Sequence, residues 1–245
     1  MSEALFRLFE GLPRQGPGSD GCTRAALRRL GTLPAAARVL DLGCGSGRAA
    51  LVLAEELRTR VVAVDVHAPF LEQLRATAQE RGLEDLIEPR CADMAAPGVP
   101  AGSVDLLWSE GAIYLVGFAD GLRLWRPLLA SKGHLVVSEC SWLTDDRPAE
   151  LEVFWQDAYP AMGTIEANVA AARREGFEVF DHFLLPPEAW WVDFYEPLEE
   201  RIADLAPAAD VDLAAVIAET RREIDLYCRF GDAYGYVFYL MRLAG

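Results

Sequence analysis

The sequence predicts an α/β fold of the Rossmann-like, doubly wound kind: a seven-stranded, mostly parallel sheet whose last strand runs antiparallel. Three observations carry this reading. Short apolar runs alternate with helical stretches from residue 38 to 140, and such alternation means right-handed βαβ units with both sheet faces covered. The first run, Arg38-Val39-Leu40-Asp41-Leu42, turns at three alternating glycines, Gly43, Gly45 and Gly47, and opens into a helix. The second, Val61-Val62-Ala63-Val64, ends on Asp65. Strand, glycine loop, helix, strand and carboxylate together describe a nucleoside-binding half-domain.

The elements follow in order. Residues 1–34 precede the sheet, and within them Leu8–Asp20 is rich in Gly and Pro. That stretch cannot continue a helix and has little to bury, so it reads as a flexible leader or as a lid. Strands are expected at 38–43, 61–65, 87–92, 104–109 and 133–140. Helices are expected near 47–58, 68–82 and 118–130, with Gly82 and Gly133 as C-terminal stops. Arg147-Pro148 opens a helix to about Tyr159, and Thr164 caps another that ends at Gly176. Phe177–Leu185 reads as a sixth strand and Tyr236–Met241 as a seventh.

Between these last strands Asp210 can cap a long helix, whose apolar Leu213, Val216, Ile217, Ile224, Tyr227 and Cys228 recur at three and four. The chain 1–245 therefore reads as one domain. It has an N-terminal lid or helix at 1–34, a core at 35–186, a helical insertion at 187–235 over one end of the sheet, and a last strand at 236–245.

Ligands of such sheets bind at the carboxyl ends of the strands, where Gly43, Asp65, Asp93 and Ser109-Glu110 all fall. N–H groups opening the helix at Ser46–Ala49 favour a negative ligand group. Asp65 can accept hydrogen bonds from both hydroxyls of a ribose. A dinucleotide fits part of this pattern: Gly45-x-Gly47-x-x-Ala50 matches its fingerprint, and Asp65 lies 65 − 45 = 20 residues beyond Gly45. Asp41 argues against it, because a carboxylate there repels a pyrophosphate and attracts a sulfonium or an ammonium.

At these residues the chain resembles the class I S-adenosylmethionine-dependent methyltransferases. Asp41-Leu42-Gly43-Cys44-Gly45-Ser46-Gly47 matches their first motif, and Asp65 their ribose-binding acid. Cys91-Ala92-Asp93-Met94 matches the segment after the third strand, and Val104–Glu110 the fourth strand. The resemblance implies that S-adenosyl-L-methionine is bound by Gln15, Gly16, Asp41, Gly43, Gly45, Gly47, Asp65, Val66, Ala92, Asp93, Met94, Ser109 and Glu110, leaving S-adenosyl-L-homocysteine as product. It also tips the N-terminal segment toward a lid. Within the superfamily the chain looks most like uncharacterised bacterial members related to the ubiquinone/menaquinone-biosynthesis type. Arg14–Ser19, Trp108–Tyr114 and Ser138–Trp142 carry that closer match.

Composition narrows the partners. A net charge of −15 argues against nucleic acid and against an anionic membrane surface. Cys22, Cys44, Cys91, Cys140 and Cys228 are odd in number and without metal-ligand or redox spacing. They read as free buried thiols in a reducing cytoplasm. The N-terminus lacks a signal-peptide pattern, and no apolar run is long enough to span a membrane. His67, His134 and His182 are scattered without acid or cysteine partners, so no metal is expected. A monomer or homodimer acting on a small molecule is the expectation.

The acceptor pocket is sought among aromatics. Trp142, Trp155, Trp190 and Trp191, with Tyr114, Tyr159, Phe194 and Tyr195, fall in regions that would cover the ligand edge. A general base is needed only where the nucleophile must lose a proton. Glu110 and Glu139 end the fourth and fifth strands and Tyr114 follows, so each is a candidate, with Glu110 ranked first and Tyr114 beside it. A cofactor-binding sensor without turnover and a nicotinamide-dependent oxidoreductase are the alternatives.

Overall fold

The computed structural model describes residues 2–244. Seven strands form one sheet: β1 (Val39–Leu42), β2 (Val61–Asp65), β3 (Ile87–Cys91), β4 (Val104–Glu110), β5 (Leu129–Trp142), β6 (Phe177–Leu184) and β7 (Tyr234–Leu243). Their order is β3-β2-β1-β4-β5-β7-β6. β7 pairs antiparallel with both neighbours, and the pairings from β3 to β5 are parallel. The order reverses between β1 and β4, which opens a crevice at their carboxyl ends.

Two helices, α1 (Glu3–Phe9) and α2 (Asp20–Arg28), precede the sheet, and the rest follow the expected order: α3 (Arg48–Leu57), α4 (Ala68–Glu80), α5 (Phe118–Trp125), α6 (Ala149–Ala158) and α7 (Ile165–Arg174). One face of the sheet packs on α2, α3 and α4 through Ala26, Leu51, Leu53, Leu71 and Leu74. The other packs on α5 and α7 through Leu122, Trp125, Ala171 and Ala172. Burial on both faces explains why all four residues of β1, Asp41 included, are buried without alternation.

Two boundaries depart from expectation for local reasons. α5 stops at Trp125 and not near residue 130, because Pro127 has no N–H to continue the ladder. β5 consequently starts at Leu129, and Gly133 is a strand residue, not a helix stop. The β4–β5 register shifts there, and a Cβ on Gly133 would lie 2.8 Å from the Val104 carbonyl oxygen. Glycine permits that close approach.

The insertion is helical: α8 (Glu188–Trp190), a π turn (Trp191–Tyr195), α9 (Glu196–Leu205) and α10 (Val211–Phe230). The Asp210 side chain accepts from the Leu213 N–H at 2.9 Å and starts α10. Cys228, expected on the apolar stripe, is exposed, and Leu226 takes the buried place. Among the five cysteines, Cys22 and Cys140 are buried, whereas Cys91 and Cys228 are exposed. Leu8 of α1 and Leu12 join the apolar cluster of the insertion with Trp142, Trp190 and Tyr234. The N-terminal segment therefore has much to bury, contrary to its reading as a loose leader. Among the described residues, no helix is long and apolar enough to cross a membrane.

Candidate active site

A cleft lies at the carboxyl edge of β1, β2 and β4. Its walls include Gln15, Gly16, Asp41, Gly43, Gly45, Asp65, Val66, Ala92, Met94, Glu110 and Tyr114, eleven of the residues expected around a ligand. The loop after β1 is shaped by Gly45, whose φ of +54° and contact with the Gln15 side chain leave no room for a Cβ. Asp65 ends β2 and accepts from the Gly45 N–H and the His67 N–H, both at 2.9 Å. These bonds hold its carboxylate at the cleft wall with lone pairs still free.

Asp41 is the unusual member. It is 1% exposed, and its Oδ2 has no hydrogen-bond partner. Burial raises its pKa well above the carboxylate range, and the charges of Glu110 and Asp65 add to that push. A buried acid with an unpaired oxygen on a cleft wall is poised to receive a cation.

The N-terminal segment is docked over the loop. Gln15 Oε1 accepts from the Ser46 N–H at 2.7 Å, while its amide donates to the Leu12 carbonyl at 3.2 Å. His67 has an acid partner after all: its Nε2 lies 2.8 Å from Glu10 Oε1, and its ring stacks on Phe6 at 4.1 Å. Two of the amides expected to face a ligand, those of Ser46 and Gly47, are thus engaged by protein, since the Gly47 N–H also donates to the Cys44 carbonyl at 2.8 Å. A negative ligand group would instead meet Arg14 and Arg48, which both line the cleft. These two arginines were missed in the sequence; their positions flanking Gln15-Gly16 and following Gly47 were the available signal.

Glu110, ranked first as base, is engaged on both oxygens. Oε1 accepts from the Thr23 hydroxyl at 2.7 Å and Trp108 Nε1 at 2.8 Å, and Oε2 from Arg14 at 3.1 Å. Arg14 is 7% exposed and also bridges to Asp20 at 3.4 Å. Three donors make Glu110 a latch between the N-terminal segment and the sheet, unsuited to removing protons. Burial pushes the Tyr114 hydroxyl up to about 12, so it is no base at neutral pH.

Several expected residues lie elsewhere. Ser109 is fully buried and donates to the Leu42 carbonyl at 2.8 Å, tying β4 to β1. Asp93 is exposed and accepts from the Ala95 N–H at 2.8 Å, forming a turn outside the cleft lining. Gly47 packs against Leu74 of α4. Trp190 is 1% exposed and stacks on Tyr227 at 4.1 Å, and Trp191 meets Tyr195 edge-on at 5.5 Å; both belong to the core of the insertion.

Trp142, Trp155 and Tyr159 line a second cavity of about 570 Å³ with Arg147 and Met162. Of the expected aromatic pocket, only Tyr114 faces the first cleft, and it meets Tyr159 edge-on at 5.7 Å. No group of three or more His, Cys, Asp or Glu is placed to hold a metal among the described residues.

Comparison with known proteins bears on this cleft. A family model described as a methyltransferase domain matches residues 39–133, from β1 into β5. Trans-aconitate 2-methyltransferase of Paracidovorax citrulli is 30% identical over 205 residues, covering 78% of this chain and 70% of that protein. The chain belongs to the class I S-adenosylmethionine-dependent methyltransferases. The protein of the same name from Azoarcus sp. is 35% identical over 112 residues, 44% of this chain, and the match spans only 38% of that relative's length. A methyltransferase from Geobacter sulfurreducens, solved with S-adenosyl-L-homocysteine, has the same fold as this methyltransferase, with a TM-score of 0.82 at 19% identity and coverage of 99% and 98%.

Proposed function

We propose that the cleft holds S-adenosyl-L-methionine and that the chain transfers its methyl group to a small molecule at the carboxyl edge of β4 and β5. The observation that carries the reading is Asp41, a buried carboxyl on the cleft wall with an unpaired oxygen. It suits a cationic amino-acid end and opposes a pyrophosphate. When bound, that cofactor supplies an electrophilic methyl group on sulfur.

The residues divide the remaining work. Asp41 receives the ammonium, and Arg14 and Arg48 face the carboxylate. Asp65 accepts from the ribose hydroxyls, while Ala92 and Met94 flank the base. Gln15 and Gly16 close the lid, which excludes water and orders the reacting groups. Such positioning is worth several kcal/mol. A cytoplasmic location is part of this proposal, and five free cysteines support it.

The relatives named for trans-aconitate make a polycarboxylate one acceptor to test. The second cavity does not favour it, because Glu152 and Asp157 stand in its lining against Arg147 alone. The experiment is mass-spectrometric detection of S-adenosyl-L-homocysteine formed with phenols, amines and carboxylic acids, trans-aconitate included. Turnover with an acceptor of any class supports the reading, and cofactor binding without turnover on any of them refutes it.

A further inference from the structure

Arg48 has spare hydrogen-bonding capacity on the cleft wall. It is the first residue of α3, its side chain is 32% exposed, and it lines the cleft. Its Nε donates to Asp20 Oδ1 at 2.6 Å, and its two terminal nitrogens have no acceptor among the described residues. The same Asp20 oxygen accepts from Arg14 Nη2 at 3.4 Å, while Arg14 Nη1 donates to Glu110 at 3.1 Å. One carboxylate, on the first residue of α2, therefore joins both arginines of the cleft. Arg24 also approaches Asp20, at 4.0 Å, but Glu55 and Glu56 hold it more closely, at 3.0 and 2.7 Å.

The spare fork fits one kind of ligand group. Two N–H donors on one planar guanidinium match the two oxygens of a carboxylate. The backbone alternative is closed, because the Ser46 N–H goes to Gln15 and the Gly47 N–H to the Cys44 carbonyl. On the same wall Asp41 keeps an oxygen without a partner. An unpaired carboxyl oxygen and an unpaired guanidinium fork in one cleft match the two charges of an α-amino acid. A nucleoside alone would meet neither.

We propose that Asp20 is the positioning residue of a carboxylate subsite: it holds Arg48 by Nε so that the two terminal nitrogens take the carboxylate at the cofactor's amino-acid end. This rests on the methyltransferase reading above and makes that carboxylate a main determinant of affinity. Asp20 touches no ligand and acts through Arg48, with Arg14 steadied beside it. A long side chain fixed before the ligand arrives loses less freedom on binding. Burial pushes the Asp20 carboxyl up, but the hydrogen bond and charge of Arg48, with the charge of Arg14, outweigh it and leave it below its ordinary value. The acid is thus ionised at neutral pH and keeps its hold on both arginines.

The test is calorimetric titration of the full chain with two probes. One is S-adenosyl-L-homocysteine. The other is its decarboxylated analogue, which keeps the ammonium and lacks the carboxylate. The wild type should prefer S-adenosyl-L-homocysteine by about tenfold or more. Asp20→Ala should weaken S-adenosyl-L-homocysteine about tenfold and leave the analogue unchanged. Asp20→Asn keeps an oxygen for Arg48, so its loss should be smaller, about threefold; this variant carries the test should Asp20→Ala not fold. Arg48→Lys puts a point charge where the fork stood and should also shrink the preference.

Equal affinity of the wild type for the two probes overturns the proposal. So does an equal loss for both probes in the Asp20 variants, which is what an acid that only supports α2 would give. A gain in S-adenosyl-L-homocysteine affinity overturns it too, since an acid that merely competes for Arg48 would release the guanidinium to the ligand. Failure of both probes to bind the wild type strikes the methyltransferase reading instead.

Discussion

Replacing Asp41 with Asn separates what this residue costs from what it does. In the free protein the carboxyl is 1% exposed, its Oδ2 is unpaired, and its pKa lies well above the usual range. An acid raised on folding binds more protons in the folded chain than in the unfolded one. Its stability contribution is therefore present below its unfolded pKa and is lost as pH rises toward the folded value. Asp41→Asn has the same shape and no such loss. Without ligand, the variant should unfold at the same temperature as the wild type at pH 5, or lower, and at a higher temperature at pH 8.

With ligand the order reverses. A charged hydrogen bond to the ammonium is worth about 1.5–3 kcal/mol, so S-adenosyl-L-homocysteine affinity should fall about 10- to 150-fold. Thermal melts at both pH values and calorimetric titration read the two effects. Unchanged affinity, or a lower melting temperature than wild type at pH 8 without ligand, would refute the reasoning.

Two further substitutions probe the same cleft. Asp65→Ala should weaken S-adenosyl-L-homocysteine by about 1.5–3 kcal/mol in calorimetry, with some loss of thermal stability because the Gly45 and His67 amides also lose their acceptor. Gln15→Ala frees the Ser46 N–H and unpins the lid, so stopped-flow dissociation of the cofactor product should quicken about 3- to 10-fold for a hydrogen bond of about 1 kcal/mol; an unchanged rate would return the segment to a passive role.

How much of this was legible in the sequence depends on how far apart the partners lie. The seven-stranded, mostly parallel sheet and its antiparallel last strand rest on local patterns and stand as read, and the β1 loop and Asp65 fall on the cleft wall. Asp41 was legible as a wall residue, because it stands directly before the glycine loop. Ser109 and Glu110 could not both face the ligand, since neighbours on a strand point to opposite faces; Ser109 bonds Leu42, and Glu110 shares its face with Trp108.

The length of α5 was misjudged although Pro127 marked its end. The hold of the N-terminal segment on the loop was invisible, because Gln15–Ser46 and Arg14–Glu110 join residues 31 and 96 apart. Tryptophans gave no sign of which pack the insertion, as Trp190 does, and which line a cavity, as Trp142 does. Glu139 was a candidate beside Glu110, and it lines neither the cleft nor the second cavity.

Asp41 and Asp65 on the cleft wall are proposed to select a nucleoside that carries an ammonium over a dinucleotide. Calorimetric titration of the wild type with S-adenosyl-L-homocysteine, and separately with NAD and NADP, tests it most directly. Saturable binding of S-adenosyl-L-homocysteine with none of either dinucleotide is the predicted result. Tight NAD or NADP binding with no response to S-adenosyl-L-homocysteine would contradict it.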